Sequence, residues 1–320
     1  MKIIFMGTPE FALKTLKKLV SSEHEILCVV TQPDRPKGRG RGLSPSPVKQ
    51  FAQEVGIEIL QPEKARNKEF IESIRQLSPD LIVVVAYGQI LSADLLKVPK
   101  LFCMNLHGSL LPKYRGAAPI HRAVINGELE TGVTTMKMDV GLDTGDIILM
   151  RKIPIQDSDD TETLHDRLAD EGASLVIETV DQLSSSSCNF IPQDDSQATY
   201  AEKIQKEEGV IPWHGGAEKI RNLVRGLNPW PGAFTFLGPV RLKICRAETA
   251  AGESGDTPGV VARVTDYGIE VGTGKGRLVI TELQPAGKKK MAAKSFLAGN
   301  NINPGDLFDS EPEYKTSSRN

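Results

Sequence analysis

The chain has 320 residues, of which 39% are hydrophobic and 25% are charged, and its formal net charge at pH 7 is −2. This length is more than one hydrophobic core usually holds, so two domains are expected. A net charge this close to zero excludes a strongly basic protein that coats nucleic acid, and any RNA contact must come from a local basic patch.

Strands and helices alternate in the first half of the chain. Apolar runs predict strands at residues 3–5, 26–31, 58–60, 81–85 and 101–106, and later at 132–138 and 147–155. Apolar residues at helical spacing predict helices at 11–20, 48–55, 70–77 and 161–183, the last with Thr161 as its N-cap. Continuous apolar strands separated by helices indicate a parallel sheet covered on both faces, which is a doubly wound, Rossmann-like α/β domain.

The pattern changes in the second half of the chain. Residues 184–206 are polar and rich in turn formers, which indicates a linker. A predicted helix at 215–224 is followed by short strands at 233–237, 240–245, 259–265, 268–271 and 277–283, with Gly272, Gly274 and Gly276 in a hairpin. Strands at this spacing predict a small antiparallel barrel. The predicted domains are therefore 1–183 and 207–310, joined by the linker and followed by a frayed tail at 311–320.

The turn after the first strand lacks a dinucleotide fingerprint. Of the three glycines in that motif only Gly7 is present, while Pro9 has no backbone donor and suits the first position of a helix.

No apolar run reaches the length that spans a membrane, and the chain enters a strand directly after Lys2 rather than a signal peptide. The four cysteines and five histidines are dispersed. We therefore expect a cytoplasmic protein without a membrane contact or a bound metal.

The densest cluster of reactive residues follows the fifth predicted strand. Asn105 and His107 are two residues apart, so their side chains project to the same side of an extended strand. Ligands bind at this edge of a parallel sheet, and Asp143 lies in a later glycine-rich loop that can be directed inward. Each residue alone has an ordinary structural explanation, as a hydrogen-bonded histidine, a capping asparagine or a turn-forming aspartate. Their combination at this edge favours catalysis.

These residue types suit acyl transfer to an amine without a covalent enzyme intermediate. The sequence has no G-x-S-x-G elbow and no cysteine beside His107, so a protein nucleophile is poorly supported. The Asn105 amide and a protonated His107 can stabilise the oxyanion that forms when an amine attacks a carbonyl group. Asp143 can stabilise the charged imidazole and organise a water that carries protons. An Asp143 carboxylate remote from the imidazole would contradict this hypothesis.

The same residues resemble those of the folate-dependent formyltransferase family. The resemblance covers nearly the whole chain and includes F-x-G-T-P-x-F-A at 5–12, N-x-H-x-S-L-L-P at 105–112, R-G-A-A-P-I at 115–120, M-D-V-G-L-D-T-G-D at 138–146 and N-P-W-P at 228–231. It implies that Asn105, His107 and Asp143 are catalytic, that the donor is 10-formyltetrahydrofolate, and that the second domain is an OB-fold-like barrel. The folate contacts that the resemblance implies are Tyr87, Gly88, Ile90, Ser109, Leu110, Leu111, Pro112 and Asp139.

The catalytic motif does not choose the acceptor, because relatives in this family formylate a ribonucleotide amine or an amino sugar. A loop at 34–42 alternates cations with glycines and prolines, and lysines of the predicted barrel add a second basic patch. Cations with little steric bulk can reach the phosphates and bases of an RNA end, although such a loop is often only a solvated connection. The predicted tRNA contacts are Arg35, Lys37, Arg39, Arg41, Lys288 and Lys289.

We therefore expect a monomer that formylates methionyl initiator tRNA. An amino-sugar formyltransferase with the same donor is the alternative. A catalytically silent RNA-binding protein would leave the three site residues unexplained, and a nicotinamide oxidoreductase would need the missing glycines. Trp213 and Trp230 have prolines beside them and are predicted to pack at the junction of the two domains rather than to stack on bases.

Overall fold

The fold comes from a computed structural model of the chain, and the structure describes residues 1–37 and 42–312. The chain forms two compact units, each assembled from separate segments. The first unit contains Met1–Pro119, Glu130–Pro154 and His165–Ala201, and the second contains Ile120–Leu129, Ile155–Leu164 and the chain from Glu202 onward. The domain boundaries expected from the sequence stay a prediction.

The strands up to residue 201 are short and mostly apolar. They are β1 (Lys2–Gly7), β2 (Glu25–Val30), β3 (Arg35–Lys37), β4 (Gly42–Ser44), β5 (Ile59–Leu60), β6 (Leu81–Val85), β7 (Cys103–His107), β8 (Arg115–Gly116), β9 (Glu130–Lys137), β10 (Ile147–Pro154) and β11 (Tyr200–Ala201). The helices of this part are α1 (Glu10–Val20), α2 (Pro47–Glu54), α3 (Lys68–Gln76), α4 (Ala93–Leu96), α5 (Pro119–Ile125) and α6 (Thr161–Ser184).

The first unit is organised by one seven-stranded sheet, which confirms the predicted α/β class. Its strand order is β10-β9-β7-β6-β1-β2-β5. The strands from β7 to β5 run parallel, whereas β9 and β10 are antiparallel additions at one edge. Every residue of β6 is buried, as expected for a central strand whose two faces are both covered. In such a sheet the loops at the carboxyl ends of the parallel strands share one edge.

Two helix starts differ from the sequence expectation. The N-cap of α6 is Asp160 rather than Thr161, because the Asp160 carboxylate accepts the Thr163 backbone N–H at 2.9 Å, while the Thr161 hydroxyl donates to the Gly226 carbonyl. Pro9 is the N-cap of α1, and the helix itself begins at Glu10. Each difference amounts to a single residue at the helix start.

The elements after residue 201 belong to the second unit. They are α7 (Ala217–Leu227), β12 (Ala233–Leu237), β13 (Val240–Ala250), β14 (Val261–Val264), β15 (Ile269–Gly272), β16 (Arg277–Pro285), β17 (Met291–Ala292), α8 (Ala293–Leu297) and β18 (Phe308–Asp309). The antiparallel order is β14-β15-β16-β13-β12-β18, with β17 paired to β16. The turn between β15 and β16 is the hairpin predicted around Gly274.

Backbone hydrogen bonds close this sheet into the predicted small barrel. Val260 forms an antiparallel bridge with Leu307, and the Phe308 N–H donates to the Gly259 carbonyl at 2.7 Å, so the chain beside β18 pairs with the chain beside β14. Trp213 is buried in the barrel core, which confirms that it packs, while its place at a domain junction stays a prediction. Trp230 is 50% exposed, so the packing prediction was wrong for this residue. None of the helices that the structure describes has the length and apolarity needed to cross a membrane.

Candidate active site

Asn105 and His107 lie at the carboxyl end of β7, as the sequence predicted. Strand β7 pairs with β6 on one side and with β9 on the other, so both residues are fixed by a central ladder. Asn105 is half-buried, and its side-chain amide has no hydrogen-bond partner within residues 1–37 and 42–312. A half-buried amide without a protein partner at a ligand edge is available to a bound substrate.

The His107 ring is held by a backbone carbonyl and faces a carboxylate. The ring is 6% exposed, its Nε2 lies 2.9 Å from the Tyr114 carbonyl oxygen, and its Nδ1 lies 3.6 Å from Asp143 Oδ2. A carbonyl oxygen can only accept, so Nε2 carries a hydrogen and Nδ1 is the nitrogen open to a reactant. At 3.6 Å the Nδ1–Oδ2 pair is an ion-pair contact that is longer than a hydrogen bond.

Asp143 approaches the imidazole from a loop whose backbone is strained. Its φ is +54°, in the left-handed region that aspartate tolerates better than most residues. The Gly116 N–H donates to Asp143 Oδ2 at 2.9 Å, while no residue of the described chain contacts Oδ1 through a hydrogen bond. A Cβ at Gly145 would lie 1.8 Å from the Lys137 carbonyl oxygen, so the loop can follow this path only with glycine there. The imidazole and the carboxylate are therefore brought together as predicted, and their catalytic role stays a prediction.

Two residues that the sequence analysis did not select support the Asp143 loop. The Gln193 side-chain Nε2 donates to the carbonyl oxygens of Asp143 at 2.8 Å and of Gly145 at 2.7 Å. Its Oε1 accepts from Arg115 Nε at 3.1 Å and from Arg115 Nη2 at 2.8 Å. The Arg115 side chain is 2% exposed and also pairs with Asp195 at 2.7 Å. Gln193 lies in the polar stretch interpreted as a linker, and no local pattern distinguishes it there.

The predicted folate contacts at 109–112 form a compact turn beside β9. The Ser109 hydroxyl donates to the Lys113 carbonyl at 2.6 Å, and the Ser109 carbonyl accepts the Thr134 hydroxyl at 2.7 Å. Ser109 is fully buried, and Leu111 packs with Met136 and Ile147. Leu110 and Pro112 are partly exposed, so these two offer side-chain surface to a ligand.

The remaining predicted folate contacts lie in two loops. Gly88 is exposed and Ile90 is almost fully exposed in the loop after β6, whereas Tyr87 is buried in the core. Burial raises the pKa of the Tyr87 phenol to about 12. Asp139 is exposed and organises its own loop, because its carboxylate accepts from the Gly141 N–H and the Thr144 hydroxyl. These folate assignments stay predictions.

The predicted tRNA contacts are described only in part. Arg35 is exposed and its guanidinium donates to Gln32 at 3.4 Å. Lys37 pairs through its backbone with Gly42, which makes β3 and β4 a short ribbon, and Arg39 and Arg41 lie outside the described residues. Lys288 and Lys289 are exposed without an ion pair to any described residue. Their neighbours differ: Lys290 pairs with Glu282 and Lys294 with Asp266.

No group of three or more His, Cys, Asp or Glu side chains is arranged to hold a metal ion within the described ranges. The second unit contains a cleft of about 690 Å³ between α7, β13 and the loop before α6. It is lined by side chains of both charges, most of them already paired with each other, and includes none of the three candidate catalytic residues.

Comparisons with known proteins agree on one family. The family model described as formyl transferase matches residues 1–180, and the model of the formyl transferase C-terminal domain matches residues 203–301. Methionyl-tRNA formyltransferase from Geotalea uraniireducens is 53% identical over 308 residues, which cover 96% of this chain and 98% of the relative. The enzyme of the same name from Moorella thermoacetica is 50% identical, with 96% of this chain and 99% of the relative covered.

A solved structure shows the same fold at much lower identity. A sugar 3N-formyl transferase, crystallised in the presence of dTDP and 5-N-formyl-THF, has a TM-score of 0.67 and 20% sequence identity, covering 90% of this chain and 99% of its own. At this identity the likeness concerns the fold alone.

Proposed function

The chain belongs to the formyl transferase family, and from this membership we propose that it transfers the formyl group of 10-formyltetrahydrofolate to the α-amino group of methionyl initiator tRNA. The observation that carries the chemistry is the His107–Asp143 pair at the carboxyl edge of the sheet, beside an Asn105 amide that no described residue contacts through a hydrogen bond. The product is formylmethionyl-tRNA, which serves translation initiation, and we propose that the enzyme acts as a cytoplasmic monomer.

Asn105 and His107 stabilise the charge that develops on the formyl oxygen. The folate supplies a formyl group bonded to nitrogen, whose carbon is attacked by the amine. The Asn105 N–H and the Nδ1–H of a protonated His107 donate to the formyl oxygen as it becomes negative. Donors fixed in a partly dry site need no reorganisation as the charge appears, which makes such stabilisation effective.

Two contacts define the surroundings of the His107 ring. Its Nε2–H is committed to the Tyr114 carbonyl, so a neutral ring would present a bare Nδ1 lone pair to the Asp143 carboxylate. At 3.6 Å the carboxylate is too far to accept a hydrogen bond from Nδ1, but it is close enough to balance a positive charge on the ring. The Nδ1–H of a protonated ring would therefore stay available to the formyl oxygen.

Asp143 also handles the protons of the reaction. The attacking amine forms the new N–C bond and must lose a proton, while the folate nitrogen leaves with the bonding pair and must gain one. Asp143 Oδ1, which has no hydrogen-bond partner among the described residues, accepts the amine proton directly or through one water and returns it to the leaving nitrogen. Oδ2 meanwhile stays bound to the Gly116 N–H, so the carboxylate keeps its orientation.

The identity of the acceptor rests on the relatives and on charge. Relatives at 50–53% identity over nearly the full chain carry the methionyl-tRNA name, whereas the sugar-modifying structure is only 20% identical. Arg35, Lys288 and Lys289 are exposed cations without an acidic partner among the described residues, which suits them to phosphate contacts. The donor that we propose, 10-formyltetrahydrofolate, is the one that membership of this family implies. The Asn105 amide, which has no hydrogen-bond partner among the described residues, can donate to its formyl oxygen.

One assay tests the proposal against its alternative. The purified chain is mixed with 10-formyltetrahydrofolate and with either methionyl initiator tRNA or a dTDP-linked amino sugar, and formyl incorporation is measured in each. We expect rapid formylation of the tRNA and none of the sugar nucleotide. Formylation of the sugar alone would establish the amino-sugar alternative, and incorporation into neither acceptor would overturn both.

A further inference from the structure

Asp143 is the acid among the three candidate catalytic residues Asn105, His107 and Asp143, which we call the candidate trio. Its loop is held by a residue about fifty positions later in the chain. Gln193 uses both hydrogens of its side-chain amide on the Asp143 loop, one on the Asp143 carbonyl and one on the Gly145 carbonyl. These two carbonyls flank Thr144, so the amide spans the turn in which Asp143 takes its left-handed backbone conformation. The conformation is costly for a residue with a side chain and persists only where the surroundings hold it.

The Gln193 amide is itself held in one orientation. Its oxygen receives two hydrogen bonds from the Arg115 guanidinium, and a guanidinium can only donate. The orientation with oxygen toward Arg115 and nitrogen toward the loop is therefore the one that satisfies every partner. Arg115 is almost fully buried, and Asp195 balances its charge from the outer side.

The same arginine is adjacent to a second support of the carboxylate. Gly116, the next residue, donates its N–H to Asp143 Oδ2 and pairs with Ala201 in the ribbon of β8 and β11. One short stretch thus fixes the carboxylate through Gly116 and the loop backbone through Arg115 and Gln193.

We propose that Gln193, oriented by Arg115, is a positioning residue for formyl transfer: it sets the place of the Asp143 carboxylate relative to His107 without touching either substrate. This inference rests on the proposed function. A shift of a carboxylate by about 1 Å can cost a large factor in rate, because acid–base and electrostatic contributions depend steeply on geometry. The chemical step is therefore expected to suffer while substrate binding does not.

Two substitutions separate positioning from simple support of the fold. Gln193→Ala removes all four hydrogen bonds. Gln193→Glu keeps an acceptor for Arg115, now as an ion pair, but has no hydrogen to donate to the two loop carbonyls. Gln197→Ala is the matched control, since Gln197 is an exposed glutamine of the same segment whose amide, within the described part of the chain, donates only to Asp194.

We expect kcat to fall about tenfold or more in both Gln193→Ala and Gln193→Glu, with the KM of folate and of tRNA within about twofold of wild type. In Gln193→Glu a carboxylate oxygen would face the two loop carbonyls and repel them, so both Gln193 variants should unfold at a lower temperature than wild type. Gln197→Ala should keep full activity and stability. If Gln193→Glu restores kcat together with stability, Gln193 only satisfies Arg115 and the inference is wrong.

A double substitution tests whether the effect passes through Asp143. In an Asp143→Asn background, single-turnover rates should change by less than about twofold when Gln193→Ala is added, because the group being positioned is already lost. A further full tenfold loss would overturn the inference. Failure of wild type to formylate tRNA would instead reject the proposed function, so the two failures are distinguishable.

Discussion

The Asp143→Asn substitution gives the sharpest test of the proposed chemistry. Asparagine keeps the volume of the side chain, tolerates the left-handed backbone and retains an oxygen that accepts the Gly116 N–H. What it removes is the negative charge 3.6 Å from His107 Nδ1. Any loss of rate therefore reports the charge and the proton acceptor rather than a collapsed loop.

The size of the effect follows from the distance. Two unit charges 3.6 Å apart attract by about 1 kcal/mol in bulk water and about 5 kcal/mol at the effective dielectric constant of about 20 found near protein surfaces. The side chains of His107 and Asp143 are only 7% and 16% exposed, so the upper part of this range applies. At about 1.4 kcal/mol for each factor of ten, kcat should fall by about 10² to 10³.

The measurement is the initial rate of formylmethionyl-tRNA formation at saturating folate and tRNA, together with the KM of each substrate. Asp166→Asn is the control, because Asp166 also lies beside a histidine, His165 at 3.0 Å, but its carboxylate is 68% exposed. We expect the control to match wild type. If Asp143→Asn keeps more than about a third of the wild-type kcat, the charge that we assign to this site contributes too little for the mechanism to stand.

Three further outcomes follow from other parts of the chain. Arg39→Ala should raise the KM of tRNA but not of folate, and should make the salt dependence of tRNA binding shallower by about 0.7 to 0.9 in the log–log slope for each lost phosphate contact; an unchanged slope would contradict a contact. Gly145→Ala should lower kcat and stability, because its Cβ would meet a backbone carbonyl at 1.8 Å, whereas Gly299→Ala, which meets no atom within 4 Å, should be neutral in both assays. The Arg277 guanidinium beside Asp256 holds the pKa of that carboxyl below its usual range. The ionised Asp256 carboxylate therefore stabilises the fold fully above the unfolded pKa of about 3.9, and this contribution is lost as the pH falls through the lower folded pKa. In Asp256→Asn the free energy of unfolding by urea should therefore fall less steeply between about pH 5 and pH 2 than in wild type.

The sequence predicted correctly those elements that depend on neighbouring residues alone, such as apolar strands and glycine turns. The five apolar runs of the first half became strands because their residues bury on both faces of a parallel sheet, and Asn105 and His107 shared one end of a strand because side chains alternate along it. The glycines around 274 formed a hairpin turn because glycine adopts the backbone conformations of tight turns more easily than other residues. The barrel was foreseen as short strands, but its closure through Val260 and Leu307 depends on pairing across almost fifty residues.

The contacts that hold the candidate site residues in place have no recognisable local sequence pattern. The ribbons β3–β4 and β8–β11 contain two or three residues per strand, too few for an alternating pattern to be visible. Pro192 and the nearby aspartates made the segment around Gln193 resemble a connection, although Gln193 binds a loop about fifty residues earlier. Trp230 was misassigned because its flanking prolines indicate a rigid turn and carry no information about exposure.

Asn105, His107 and Asp143 are held in place by different kinds of contact, and only some of these contacts can be predicted from the sequence. Asn105 and His107 are placed by the ladder of β7, but the ring of His107 is also oriented by the Tyr114 carbonyl. The Tyr114 N–H donates to the Thr199 hydroxyl at 2.9 Å, in the same segment that contains Gln193. The segment from 193 to 201 therefore supports the imidazole through Tyr114 and the carboxylate loop through Gln193. Since two groups with one common support keep their mutual distance better than two groups with separate supports, a stretch with the composition of a linker fixes the geometry on which the proposed chemistry depends.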